Sequence, residues 1–489
     1  MKKFKLIHFM ILGAAVGFSS CKKDYLNTAP TGQVADESLF STTTNSMIAL
    51  NGLHRIMWNQ YFNQDEAGHG SMMINVDNLG EDLINNSTST TTFFQALYRW
   101  DAHRNANSSQ AYFAYYFYYR IIANANMLIN NIDKASGPDS EKKIIKGEAL
   151  AYRAWAHFNL VQLFGKRYDA ATKPNNQLGV PLLLTNTTTG QPRATVEEVY
   201  AQINKDLDDA ITNLTGYTRT FKSHFNVNVV KGIKARVALT QQDWTNAAKF
   251  AAEARTGFSL MNETQYLAGF SDATNPEWMW GSIIPTDQGT FFYSYFAYMS
   301  SNFSSNATRT NPRSINSKLY NAITATDFRK QLWTPAGVTP PASGTKYPYT
   351  SVKYKVKDVN VSVGDVVYMR VAEMYLIEAE ANARAGKATE AQNALFTLVK
   401  SRDAAYVKST NTGDALITEI MQQRRIELWG EGFRFFDLKR TNSALDRTGA
   451  NHNTTVAVTL NVPAGDKKWE WLIPQDEMNA NPAMVQNPL

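Results

Sequence analysis

The sequence predicts a mainly α-helical protein. The expected architecture is a solenoid of about four antiparallel helix pairs, with long irregular loops and minor β-structure in an insertion. Three observations predict it. Two 24-residue segments, 110–133 and 141–164, have helical composition. Small residues recur at the same spacing in two distant segments. Between those segments lies a long aromatic stretch, rich in Gly and Pro, that lacks helical periodicity.

At the amino terminus, MKKFKLIHFMILGAAVGFSSC sets Lys2, Lys3 and Lys5 before an apolar run from Leu6 to Phe18. Thirteen residues are too few for the roughly 20 that span a bilayer, so residues 1–20 read as an export signal. Cys21, the only cysteine of the 489 residues, lies where a bacterial lipoprotein is cleaved and acylated. Acyl chains on Cys21 would anchor the protein to a membrane without a spanning helix. Residues 21–33 suit a short tether, and the rest, to residue 489, is expected to form one domain. Loss of the signal removes three lysines and leaves a net charge of +3, with no concentrated basic face of the kind that binds nucleic acid.

The helical scaffold is expected over residues 34–257 and 366–440. QAYFAYYFYYRIIANANMLINNID and EKKIIKGEALAYRAWAHFNLVQLF form its first long pair. KASGPDS between them supplies Gly and Pro as a stop, and Asp139 or Ser140 as the next cap. Thr195 followed by Glu198 is a capping box, and Val199, Ile203, Leu207 (or Ala210), Ile211 and Leu214 make one apolar face. Ala235, Ala247 and Ala254 then recur at spacings of 12 and 7, as do Ala379, Ala391 and Leu398. Small residues at those places let antiparallel helices touch closely, as in tetratricopeptide-type pairs.

The insertion, 258–365, is expected to hold short strands and ordered loops that carry function. Sugar rings stack their C–H faces on Trp and Tyr, while Asn, Asp and Arg bond the hydroxyls. On that chemistry the candidate ligand residues are Tyr293, Tyr295, Tyr298 and Trp333, with Asn302 and Arg309 as polar partners. Asp77, close in sequence to Glu81 and Asp82, is a further candidate for ligand, cation or hydrolytic chemistry. The structural alternative is that alternate residues of FFYSYFAYM point into a core. Zincin, phosphate-loop and nucleophile-elbow motifs are absent. The seven histidines are scattered, none forming a ligand pair at helical spacing, so no metal, cofactor or catalytic residue is expected.

RRIELWGEGFRFFDLKR, residues 424–440, mixes charge and aromatics. On a helical wheel Arg424 falls in the middle of the apolar face of Ile417, Ile420, Met421 and Leu428. A buried arginine needs a carboxylate, and Glu427 or Glu431 is the expected partner. Gly430 and Gly432 should end the helix, and Asp437 and Arg440 should pair on a second one. The stretch reads as a buried ion network of Arg424, Glu427, Glu431, Asp437 and Arg440. A further segment, 441–489, closes the chain.

With these residues in view, the sequence resembles the SusD/RagB family of outer-membrane lipoproteins, nearly end to end. The resemblance rests on CKKDYLNTAPTGQ, LFSTTTNSMIALNGLHRIM, KGEALAYRAWAHFNLVQLFG, TVEEVYAQINKDLDDAI, YMRVAEMYLIEAEANARAG, RRIELWGEGFRFFDLKR and LIPQDEMNANPAMVQNPL, in the family order. It implies four tetratricopeptide-type pairs and a non-catalytic, lipid-anchored protein exposed on the cell surface. Such a protein captures an oligosaccharide, or alternatively a peptide, and delivers it to a TonB-dependent SusC-like outer-membrane transporter. No binding residue carries over, because the ligand loops are the least shared part of the family.

Overall fold

A computed structural model describes residues 39–87, 93–289, 292–339, 341 and 344–489. The expected signal, Cys21 and the tether lie outside them.

Helix α1 (Thr43–Ile56) starts where the Thr42 hydroxyl accepts the Asn45 N–H. Helix α2 (Gly68–Asn78) is buried on nearly every side. The first long pair is α3 (Ser109–Asn131), capped by Ser108, and α4 (Asp139–Phe164). Neither Asp139 nor Ser140 caps α4. Pro138 holds the extended cap conformation, its ring fixing φ at −63°, and the helix begins at Asp139. Helix α5 (Val196–Leu214) opens on the expected Thr195–Glu198 capping box and buries Val199, Ile203, Leu207, Ala210 and Leu214. Next come α6 (Val227–Thr240) and α7 (Trp244–Ala254), then α8 (Val371–Arg384) and α9 (Ala388–Lys400). Helix α10 (Gly413–Glu427) and the short α11 (Arg434–Arg440) complete the scaffold.

From α3 to α9 each helix packs on the next, and α10 packs on α8. Helix α7 meets α8 although residues 255–370 intervene, so the solenoid closes across its own insertion. Ala235, Ala247, Ala254, Ala379, Ala391 and Leu398 are all fully buried. Backbones approach closely there because no larger side chain stands between them.

The insertion contributes short strands. β1 (Leu83–Ile84), from the scaffold, joins β3 (Ser314–Ile315), β5 (Thr350–Ser351) and β4 (Trp333–Thr334) in an antiparallel sheet ordered β1-β3-β5-β4. β2 (Trp278–Ser282) pairs antiparallel with β6 (Val366–Arg370), which runs straight into α8.

Charge, too, fastens the insertion to the scaffold. Arg370 reaches Glu277 at 2.5 Å, Glu427 at 2.6 Å and Glu431 at 2.8 Å. Arg402 meets Glu277 at 2.7 Å, Arg329 lies 2.6 Å from Asp327 and 2.9 Å from Glu427, and Lys353 lies 2.7 Å from Glu431. Four cations thus face four carboxylates out of water. Burial alone would raise the Glu427 carboxyl, but Arg402, Arg370 and Arg329 hold it well below its ordinary value.

Arg424 is buried, 3% exposed, but its partner is Asp437 at 2.8 Å rather than Glu427 or Glu431. Those two carboxylates are drawn to the guanidinium groups at the insertion. Gly430 and Gly432, both at φ near +80°, turn the chain so that α11 packs on α2 and brings Asp437 to Arg424. Arg440 pairs with Asp437 as expected, at 2.8 Å, and also with Glu380 at 2.7 Å.

Candidate functional site

Four of the sequence-chosen ligand residues lie in the interior. Tyr295 is 3% exposed and donates its hydroxyl to the Gly430 carbonyl at 2.6 Å. Tyr298 donates to the Gln64 carbonyl, its ring edge-on to Phe93 and Phe94. Trp333 stands perpendicular to Trp429, 5.6 Å between ring centres. Asp77 is buried and accepts the Gly432 N–H at 2.9 Å; burial pushes its carboxyl up to about 7. These four side chains are core, and a ligand at the surface does not reach them. The structural alternative is the better account of Tyr295, Phe296 and Tyr298, which are buried, whereas Phe292 is 41% exposed and Tyr293 half-exposed.

Nor do Glu81 and Asp82 form an open acidic site: Arg425 lies 2.5 Å from Asp82, and Arg434 pairs with Glu81. Asn302 spends its amide on the Val356 backbone, donating at 3.0 Å and accepting at 2.8 Å. Tyr293 and Arg309 remain half-exposed, the Arg309 guanidinium donating to Ser304.

Aromatic surface open to solvent gathers instead on α3. Its tyrosines at 112, 115, 116 and 119 follow the i, i+3, i+4, i+7 stripe of one helix face. Tyr112 and Tyr116 are half-exposed and stack at 5.9 Å with 18° between their planes. Tyr115 and Tyr119 lie deeper, 4.5 Å apart, and the Tyr119 hydroxyl is fixed on the Pro181 carbonyl at 2.8 Å. They line a groove of about 580 Å³, walled opposite by Pro181, Leu183 and the exposed 186–189 segment, with Asp476 and Glu477 at its end. Arg120 stands at the rim, its guanidinium 5.4 Å over the Tyr61 ring. Phe62, 53% exposed, continues the aromatic surface, 5.3 Å from Tyr112 and 5.0 Å from Tyr116.

The volume lies within the range of small-ligand sites, and the lining combines flat rings with amide, hydroxyl and charged rim groups. In sequence this helix reads as scaffold alone. The overlooked signal is QAYFAYYFYYR itself: a stripe made only of tyrosine carries hydroxyls that a dry core would leave unpaired.

Among known proteins, the family model described as "SusD family" matches residues 236–489, and one described as "Starch-binding associating with outer membrane" matches residues 40–239. Two SusD-like proteins of Formosa agariphila are 23% and 25% identical to the chain. The alignments cover 93% and 92% of this chain and 95% and 93% of theirs. A SusD-like carbohydrate binding protein from Bacteroides vulgatus, of known crystal structure, is 25% identical with a TM-score of 0.80, over 91% of this chain and 98% of that one. The structure of a laminarin binding SusD-like protein, 22% identical, gives a TM-score of 0.70 over 92% of this chain and 99% of its own.

Proposed function

The chain belongs to the SusD family, and on that premise we propose that it is a surface-exposed, lipid-anchored outer-membrane protein that captures oligosaccharides. It hands them to a TonB-dependent SusC-like transporter and neither makes nor breaks a bond. Cys21 is the lipid attachment point. The names of the matched family and of its relatives, which speak of starch, carbohydrate and outer membrane, support the setting.

The observation that carries capture is the tyrosine groove. Tyr112 and Tyr116 offer a stacked pair of rings to the apolar faces of successive sugars. Arg120, Thr187, Gln191 and Asp476 stand around them to exchange hydrogen bonds with hydroxyls. Helix α3 packs against both α1 and α4, which gives the rings a rigid mount, so little freedom is lost when a ligand settles.

Titration calorimetry of the purified chain against a panel of soluble glycans tests this. Binding by one of them is expected, with Tyr112→Ala and Tyr116→Ala each weakening it about tenfold, the loss of roughly one buried ring contact. Unfolding of both variants should stay close to that of the parent. Affinity unchanged in both would move the ligand away from the groove, with Tyr293→Ala and Arg309→Ala as the next variants. New reducing ends during incubation would replace capture by hydrolysis.

A further inference from the structure

None of the histidines forms a ligand pair along one helix, yet the fold brings two of them together with a carboxylate. His54 lies near the end of α1, Glu148 within α4, and His224 in the segment leading to α6. Nε2 of His54 is 3.1 Å from Nδ1 of His224 and 3.5 Å from Oε2 of Glu148. Nδ1 of His224 is 2.9 Å from Oε1 of Glu148. A tetrahedral zinc ion, with bonds of about 2.0–2.1 Å, keeps its ligand atoms roughly 3.3 Å apart. The two nitrogens, 3.1 Å apart, and the contacts of each with one of the two Glu148 oxygens lie around that length, and one ligand atom from each residue falls within 4.8 Å of the other two.

We propose that His54, Glu148 and His224 form a zinc-binding site that pins the first scaffold helix to α4 and to the start of the next pair. Protons alone serve this arrangement poorly. The contact between the two imidazole nitrogens has room for one hydrogen, while the carboxylate beside them asks for a donor from each ring. A divalent cation replaces the proton and accepts a lone pair from all three. The ligands are also held from behind, as metal ligands commonly are. The Tyr152 hydroxyl lies 2.6 Å from Nδ1 of His54, and the Phe225 N–H donates to Oε2 of Glu148 at 3.0 Å.

The His224 side chain is 13% exposed, which gives the ion an approach and leaves a fourth position for water. One group opposes the cation: Arg219, whose guanidinium donates to the carbonyls of His224 and Met279. It faces the same carboxylate, so affinity should fall short of that of closed sites with several thiolates. The tyrosine groove shares no residue with this cluster, and the two proposals stand or fall separately.

The full chain, freed of metal by a chelator and dialysed, is titrated with zinc chloride while thermal unfolding is followed. Expected are one zinc per chain by elemental analysis and a rise in Tm on the order of 5 °C at saturation. Calcium at the same concentration should leave Tm unchanged, because it prefers oxygen ligands. Cobalt(II) should give the visible absorption of a tetrahedral nitrogen and oxygen site. His224→Ala should abolish the zinc response, and Glu148→Gln should weaken binding at least tenfold. If either variant does not fold, the stoichiometry and cobalt spectrum of the parent chain decide. No Tm response in the parent, or an equal response in folded His224→Ala, overturns the site.

Discussion

Arg370 carries a full positive charge where no water reaches it, and it is tolerated because Glu277, Glu427 and Glu431 surround its guanidinium. Arg370→Met would leave those carboxylates under-neutralised in the interior and should cost about 3–5 kcal/mol, read as a lower denaturant midpoint. Glu380 gives a dependence on pH. Burial alone would raise its carboxyl, but Arg440, helped by Arg384 and Arg424, brings it from 4.5 down to about 2. A lowered folded value stabilises the protein fully above the unfolded value and is lost as pH falls through the folded one. That contribution, about 3 kcal/mol, should disappear between roughly pH 4.5 and 2. Glu380→Gln should flatten this limb of an acid-unfolding curve followed by circular dichroism. Burial of Arg424 was legible from a helical wheel, since a wheel needs only local geometry. Its choice of Asp437 was not, because that turns on where the insertion's arginines draw Glu427 and Glu431.

At the scale of elements, two glycines do what no other residue would. Gly432 sits at φ +81°, and a Cβ there would come within 2.9 Å of the Met73 backbone on α2. Gly432→Ala should therefore destabilise the chain by on the order of 2 kcal/mol, measurable by denaturant unfolding, with α11 displaced from α2. The helix pairs were readable in advance, because close packing of antiparallel helices demands small residues at fixed spacing, and Ala247 and Ala391 supply them. The four-stranded sheet was not readable strand by strand. Each of its strands is two residues long, too short for an alternating pattern to register. Tyr295 and Trp333 were misjudged for a related reason: an aromatic residue in an irregular segment looks the same in sequence whether its ring faces solvent or the scaffold.

For the whole molecule, the solenoid and the insertion form one body held by buried charge, with the groove on the α3 side. Among the described residues no helix is long and apolar enough to cross a membrane; the proposed function attaches the protein through acylated Cys21. Cys21→Ser should shift the protein from the membrane to the soluble fraction on cell fractionation, with glycan affinity unchanged. The buried ion cluster also bears on when the molecule can form. Arg329, Lys353, Arg370 and Arg402 all precede residue 424, yet only Glu277 and Asp327 of their four carboxylates do. A growing chain lacking its final segment would have to desolvate four cations against two anions, and that interior cannot close. A chain truncated before Glu427 should therefore fail to close this part of the interior, read as loss of cooperative unfolding.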